Sequence, residues 1–150
     1  MIDETKFSQQ PDSKDNDWIL IFICWLTAML STLGSLFFSE VMALVPCELC
    51  WYQRTFMFPL AVILLVGLHP LDTRVVRYAL PLAIIGLLFT VYHCLLFYGL
   101  IPEELKPCGQ GISCADDNMI LLGFLPIPLL SLASFVIIIL LLLRTRGLFR

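Results

Sequence analysis

Four long apolar stretches divide this 150-residue chain, and they limit its fold more than any other feature. They cover about residues 18–38, 51–68, 78–101 and 124–143. Arg54 interrupts the second and His93 the third, while the first and fourth carry no charge. About 20 apolar residues cross a hydrocarbon core of about 30 Å at 1.5 Å per residue. Inside lipid each backbone N–H and C=O must be bonded within the structure, and these stretches lack the alternation of a strand. Helices satisfy both conditions. Proline suits a first helical turn, so Pro126 and Pro128 mark the start of the fourth helix. The expected fold is all-α, an integral membrane four-helix bundle. Composition closes the alternatives. The chain is 59% hydrophobic and 14% charged, against roughly 45–50% and 25% in soluble domains. That excludes a soluble globule, and it excludes disorder, which needs low hydrophobicity and high charge.

The bundle is expected over 17–144, with a disordered polar tail at 1–16 and a basic tail at 145–150. A cleaved leader does not fit. Asp3, Glu4, Asp12, Asp15 and Asp17 precede the first stretch, which is also too long for a signal core. Lys and Arg collect on the cytoplasmic side of membrane proteins. With four spans, Lys6, Lys14, Arg74, Arg77, Arg144, Arg146 and Arg150 share one side, seven of the nine. Both termini are therefore expected in the cytoplasm, with the loops at about 39–50 and 102–123 facing outward. The net charge of −3 and the absence of a basic patch give no sign of a nucleic acid partner.

That topology sorts the six cysteines. Cys24 and Cys94 fall within spans, where a free thiol behaves as a small hydrophobe. Cys47, Cys50, Cys108 and Cys114 fall in or beside the outward loops, where an oxidising environment permits disulfides. They form two close pairs on one membrane face. Pro46 begins a helix, and Cys47 and Cys50 are expected in its first turn, where unpaired N–H groups favour a thiolate. Arg54 follows at i+4 from Cys50 on the same face, placed to stabilise a Cys50 thiolate or to bond a polar head group. A structural disulfide with Arg54 reaching for phospholipid remains open. In the second loop, Gly109 and Gly111 between Cys108 and Cys114 give a chain pliable enough to close a disulfide. That pair fits redox exchange or a static disulfide, and four-cysteine zinc ligation is disfavoured by the spacing. His93 is an ionisable side chain within a span, a candidate functional group or a histidine bonded to its own helix.

The string Pro46-Cys47-x-Leu49-Cys50-x-x-Gln53-Arg54 at the start of the second span resembles the disulfide bond formation protein B (DsbB) family. Tyr92-His93, the second cysteine pair and the segment Pro126–Ser131 support the likeness over roughly 18–143. The five residues between Cys108 and Cys114 are similar to the compact, BdbC-like members. The resemblance implies a thiol:quinone oxidoreductase of the bacterial cytoplasmic (inner) membrane, with active loops on the extracytoplasmic face. It implies an exported DsbA-like thioredoxin-fold oxidase as partner and ubiquinone or menaquinone as acceptor. It also implies roles. Cys108 receives the partner's thiolate, Cys114 resolves the mixed disulfide, Cys47 exchanges with Cys114, Cys50 faces the quinone, and Arg54 and His93 hold its head. Oxidases of the DsbA type lie near −120 mV, so their acceptor must be strongly oxidising. A vitamin K epoxide reductase-like enzyme carries similar parts, but its C-x-x-C lies late in the bundle. A non-enzymatic membrane protein with two structural disulfides is the alternative outside the enzymes.

Overall fold

The computed structural model describes residues 10–43, 46–101, 120–121 and 125–147. Cys108 and Cys114 lie outside the described residues. Among the described residues, helices α1 (Gln10–Glu40), α2 (Glu48–Leu68), α3 (Val75–Phe97) and α4 (Ile127–Gly147) form the bundle. Each is long and apolar enough to cross a membrane, over Asp15–Glu40, Glu48–Leu68, Val75–Phe97 and Ile127–Thr145. Two-residue strands β1 (Ile120–Leu121) and β2 (Leu125–Pro126) pair antiparallel just before α4. The all-α membrane bundle expected from the sequence is the observed fold.

The bounds differ from expectation for local reasons. Helix α1 begins at Gln10, within the stretch read as a polar tail, and Pro11 lies in its first turn, where proline displaces no helical bond. Helix α3 stops at Phe97 rather than 101. The Tyr98 N–H bonds back to the Cys94 carbonyl at 3.0 Å, and Gly99 takes a φ of 69°, a left-handed ending that glycine adopts without strain. Helix α4 begins at Ile127 because residues 125–126 are in β2, and Pro128 falls in its first turn.

The helices pack in a ring, α1 against α2 and α4, and α3 against the same two. The core reads at helical spacing. Ile21, Cys24 and Ala28 face Met57, Leu60, Ala61 and Leu64, together with Val76, Ala79, Ala83, Phe135, Ile138 and Leu142. Lipid is as apolar as leucine, so association in a membrane depends on close packing, and small residues permit it. Gly86 shows the point: a Cβ there would overlap the Phe135 ring. Leu30, Val62, Val66, Leu88 and Leu140 are exposed on the outer surface, as lipid-facing side chains should be. Stacking of Phe89 on both Tyr52 and Phe56, at 5.4 Å between centroids, joins α3 to α2 near the site below.

Candidate active site

Pro46 cannot donate a backbone hydrogen bond, and the chain turns into α2 directly after it. Cys47 is the N-cap, extended at φ −69° and ψ 166°, so it stands one position before the first turn in which it was expected. Cys50 is the third helical residue. Both are free thiols with their Sγ atoms 3.1 Å apart, a hydrogen-bond separation that closes to a disulfide on oxidation. Cys47 is 3% exposed and packs with Leu49 and Leu96. Cys50 is half-buried.

His93 comes from α3 and is fully buried. Its Nε2 lies 3.7 Å from Cys47 Sγ, and its Nδ1 lies 3.1 Å from Gln53 Nε2. The Gln53 Oε1 accepts from the Ser131 hydroxyl at 3.1 Å. One line of contacts therefore runs from Cys47 through His93 and Gln53 to Ser131 on α4. The Cys47 thiol is pulled well below the usual thiol range. The hydrogen bond from Cys50 is the largest cause, burial opposes it, and the bond from His93 lowers it further. The donors of the reduced pair thus converge on Cys47, whereas the sequence alone favours Cys50.

Arg54 points away from that line. Its Nε donates to Ser35 Oγ and its Nη2 to the Ser35 carbonyl, both at 2.6 Å, and its guanidinium sits 5.5 Å from the Trp51 ring centroid. With Cys50, Gln53, Ser35, Ser131 and Phe135 it walls a cavity of about 520 Å³ between α1, α2 and α4. His93 is not in that wall. Among the described site residues, the structure brings Cys50 and Arg54 to the cavity and sets His93 behind it, against Cys47. The Sγ atoms of Cys47 and Cys50 and a ring nitrogen of His93 lie within 4.8 Å of one another, a compact cluster at the head of α2. Cys24 is fully buried, with its thiol 3.8 Å from the Ile138 carbonyl, and Cys94 is half-buried on α3. Gln53 and Ser131 stand in the strings that carry the family likeness, but the sequence assigns no site role to them or to Ser35. A polar Gln53 inside an apolar stretch is a usable signal. The serines give none, because a serine in a membrane helix is satisfied by its own backbone, as Ser31 is by the Thr27 carbonyl at 2.8 Å.

A family model described as disulfide bond formation protein DsbB matches residues 16–145. A probable disulfide formation protein of Metapseudomonas resinovorans is 47% identical over 137 residues, 91% of this chain and 95% of the relative. The disulfide bond formation protein C of Bacillus subtilis is 40% identical over 134 residues, 88% and 96% of the two chains. The chain belongs to the DsbB family. No solved structure matches it. Within the DsbB family the Pro46–Arg54 string gains its setting: the cysteine pair lies at the head of α2, and the four spans make this a multi-pass membrane protein.

Proposed function

We propose that this DsbB-family protein is a thiol:quinone oxidoreductase that reoxidises an exported DsbA-like thioredoxin-fold oxidase. The observation that carries the reading is the Cys47–Cys50 dithiol beside a cavity walled by both Cys50 and Arg54. The cavity fits a quinone head. Its volume of about 520 Å³ is within the usual range for small-molecule sites, its wall is mostly apolar, and Arg54 retains donors beyond the two given to Ser35. A quinone supplies a sink for two electrons and two protons. Arg54 and the serine hydroxyls would hold its carbonyl oxygens, and Cys50 would meet it from the head of α2.

A thiolate of the partner attacks Cys108 and breaks the Cys108–Cys114 bond, and the partner's second thiolate then releases Cys108. The loop now holds the electron pair. Cys114 attacks Cys47, which breaks the Cys47–Cys50 bond and leaves Cys50 as the thiolate. Cys108 then attacks Cys114 and frees Cys47. The Cys47–Cys50 bond re-forms as two electrons and two protons leave for the quinone. A nucleophilic thiolate and a good leaving thiol are needed at each step, and the donors around Cys47 make it a good leaving thiol. Both active loops lie on the extracytoplasmic face in this reading.

Anaerobic mixing of the reduced, purified protein with ubiquinone or menaquinone analogues tests the proposal. Two quinols should form per fully reduced chain, one for each dithiol, falling to one in Cys108→Ser/Cys114→Ser protein, and Cys50→Ser should form none. Quinol yield unchanged by Cys50→Ser would overturn it.

A further inference from the structure

We infer that Gln53 is a positioning residue that fixes which nitrogen of His93 carries the ring proton, so that the ring donates to the Cys47 sulfur. The inference deepens the relay and rests on Cys47 and Cys50 being its inner pair. An uncharged imidazole carries one ring proton, and its other nitrogen accepts. Gln53 presents its Nε2, a donor only, to His93 Nδ1 at 3.1 Å. Nδ1 must therefore accept, and the ring proton lies on Nε2, 3.7 Å from Cys47 Sγ. A carboxamide has one donor end and one acceptor end, so whatever holds its oxygen also sets its nitrogen. The Ser131 hydroxyl holds the Gln53 Oε1 at 3.1 Å. Helix α4 thus reads through to the protonation of a ring on α3 and the charge on a sulfur at the head of α2.

The environment makes this choice effective. His93 is fully buried and stands outside the cavity wall, so its Nδ1 has no ready access to water as a substitute for Gln53. Among the described residues, the titratable groups facing Cys47 are few. Cys50 is on its own element, His93 and Tyr92 are on α3, and the α4 residue packed there is the apolar Ile127. The ring therefore acts toward the sulfur as a donor. The opposite amide orientation would reverse that role. Ser131 lies equally near the Pro128 carbonyl, at 3.1 Å. With its hydroxyl turned there, Gln53 could donate to Ser131 and accept from His93 Nδ1.

Nitrogen-15 NMR of the reduced protein, in a His69→Gln background that removes the second of two histidines, distinguishes the orientations without any variant of the site. The expected spectrum has the proton on Nε2, and a proton on Nδ1 would overturn the inference. The pH dependence of Cys47 alkylation, located by peptide mass spectrometry in Cys108→Ser/Cys114→Ser protein, supplies the second readout. Gln53→Leu should raise the midpoint by about one pH unit, the size of one charge-assisted hydrogen bond. Ser131→Ala should move it less in the same direction. In His93→Ala protein, Gln53→Leu should add nothing further. An unmoved midpoint in Gln53→Leu, or an equal shift with and without His93, would also overturn it. Neither measurement uses quinone or partner, so failure of the quinone reading leaves these outcomes distinct.

Discussion

Arg54→Met is the substitution that tests the cavity most directly. Methionine keeps most of the aliphatic bulk and removes the guanidinium. In the structure Arg54 is clasped at 2.6 Å to both the hydroxyl and the carbonyl of Ser35, which leaves its remaining N–H groups for the cavity. A hydrogen bond from a charged donor is worth about 1.5–3 kcal/mol. Its loss should raise the apparent KM for a short-chain quinone roughly 10- to 150-fold, since about 1.4 kcal/mol is tenfold. Ser35→Ala removes one of the two clasps and keeps the charge, so its effect should be roughly 2- to 10-fold, near the 0.5–1.5 kcal/mol of an ordinary hydrogen bond. The assay is steady-state quinone reduction at saturating partner, paired with disulfide exchange between partner and protein in the absence of quinone. Exchange should stay within about twofold, because Arg54 turns away from Cys47. A quinone KM unchanged in Arg54→Met, or exchange lost as fully as quinone reduction, would refute a role for Arg54 at the cavity.

The other predictions concern exchange, charge, packing and topology. Mixed with the oxidised partner, Cys114→Ser should accumulate a covalent adduct on non-reducing gels, because its lone Cys108 thiolate attacks the partner's disulfide and no neighbouring sulfur displaces the partner, whereas Cys50→Ser should not; an adduct seen in Cys108→Ser and missing in Cys114→Ser would reverse the two roles. Alkylation of Cys47 should have its midpoint well below the ordinary thiol value of about 8.5. A thiol lowered by folding stabilises the reduced fold above its unfolded pKa, and that stabilisation is lost as pH falls toward the lowered value. Thermal melts of the reduced protein should therefore weaken on acidification through that window, and a flat profile would contradict the lowered thiol. Gly86→Ala should destabilise the bundle by about 1–3 kcal/mol through overlap with Phe135, and Phe135→Leu in the same chain should recover part of it in a detergent-denaturation series. Membrane-impermeant thiol labelling of reduced, intact cells should reach Cys108 and Cys114; labelling only in inverted vesicles would invert the topology.

The four spans were legible because lipid leaves the backbone few choices, and an apolar run such as 18–38 can only be a helix there. Their ends were less legible because they depend on single residues. Gly99 ends α3 early through a positive φ, and Pro128 lets α4 start where β2 stops. Within the site, contacts along one helix could be read from spacing. Cys50 and Arg54 share a face at i and i+4, and both wall the cavity. Contacts between helices could not. Nothing in the string around His93 says that α3 is rotated to put its ring on Cys47 and Gln53 instead of in the cavity wall. Ser35 was hidden for the same reason, since its bond to Arg54 depends on how α1 lies against α2. The roles of Cys108 and Cys114 were drawn from resemblance, and those residues lie outside the described structure.

The Arg54–Ser35 clasp is both a wall of the cavity and a rivet between α1 and α2, and this couples occupancy to cohesion. A neighbouring rivet, Ser31 to Ser134 at 2.9 Å, ties α1 to α4 across the same opening. A molecule that drew the guanidinium off Ser35 would loosen α1 at the moment it bound, and would surrender part of its own affinity in doing so. One that used only the spare N–H groups would leave the rivet closed and add its binding energy to the resistance of the bundle to heat. Two inhibitors of equal affinity could therefore leave the protein differently sturdy, according to which face of one arginine each of them engages.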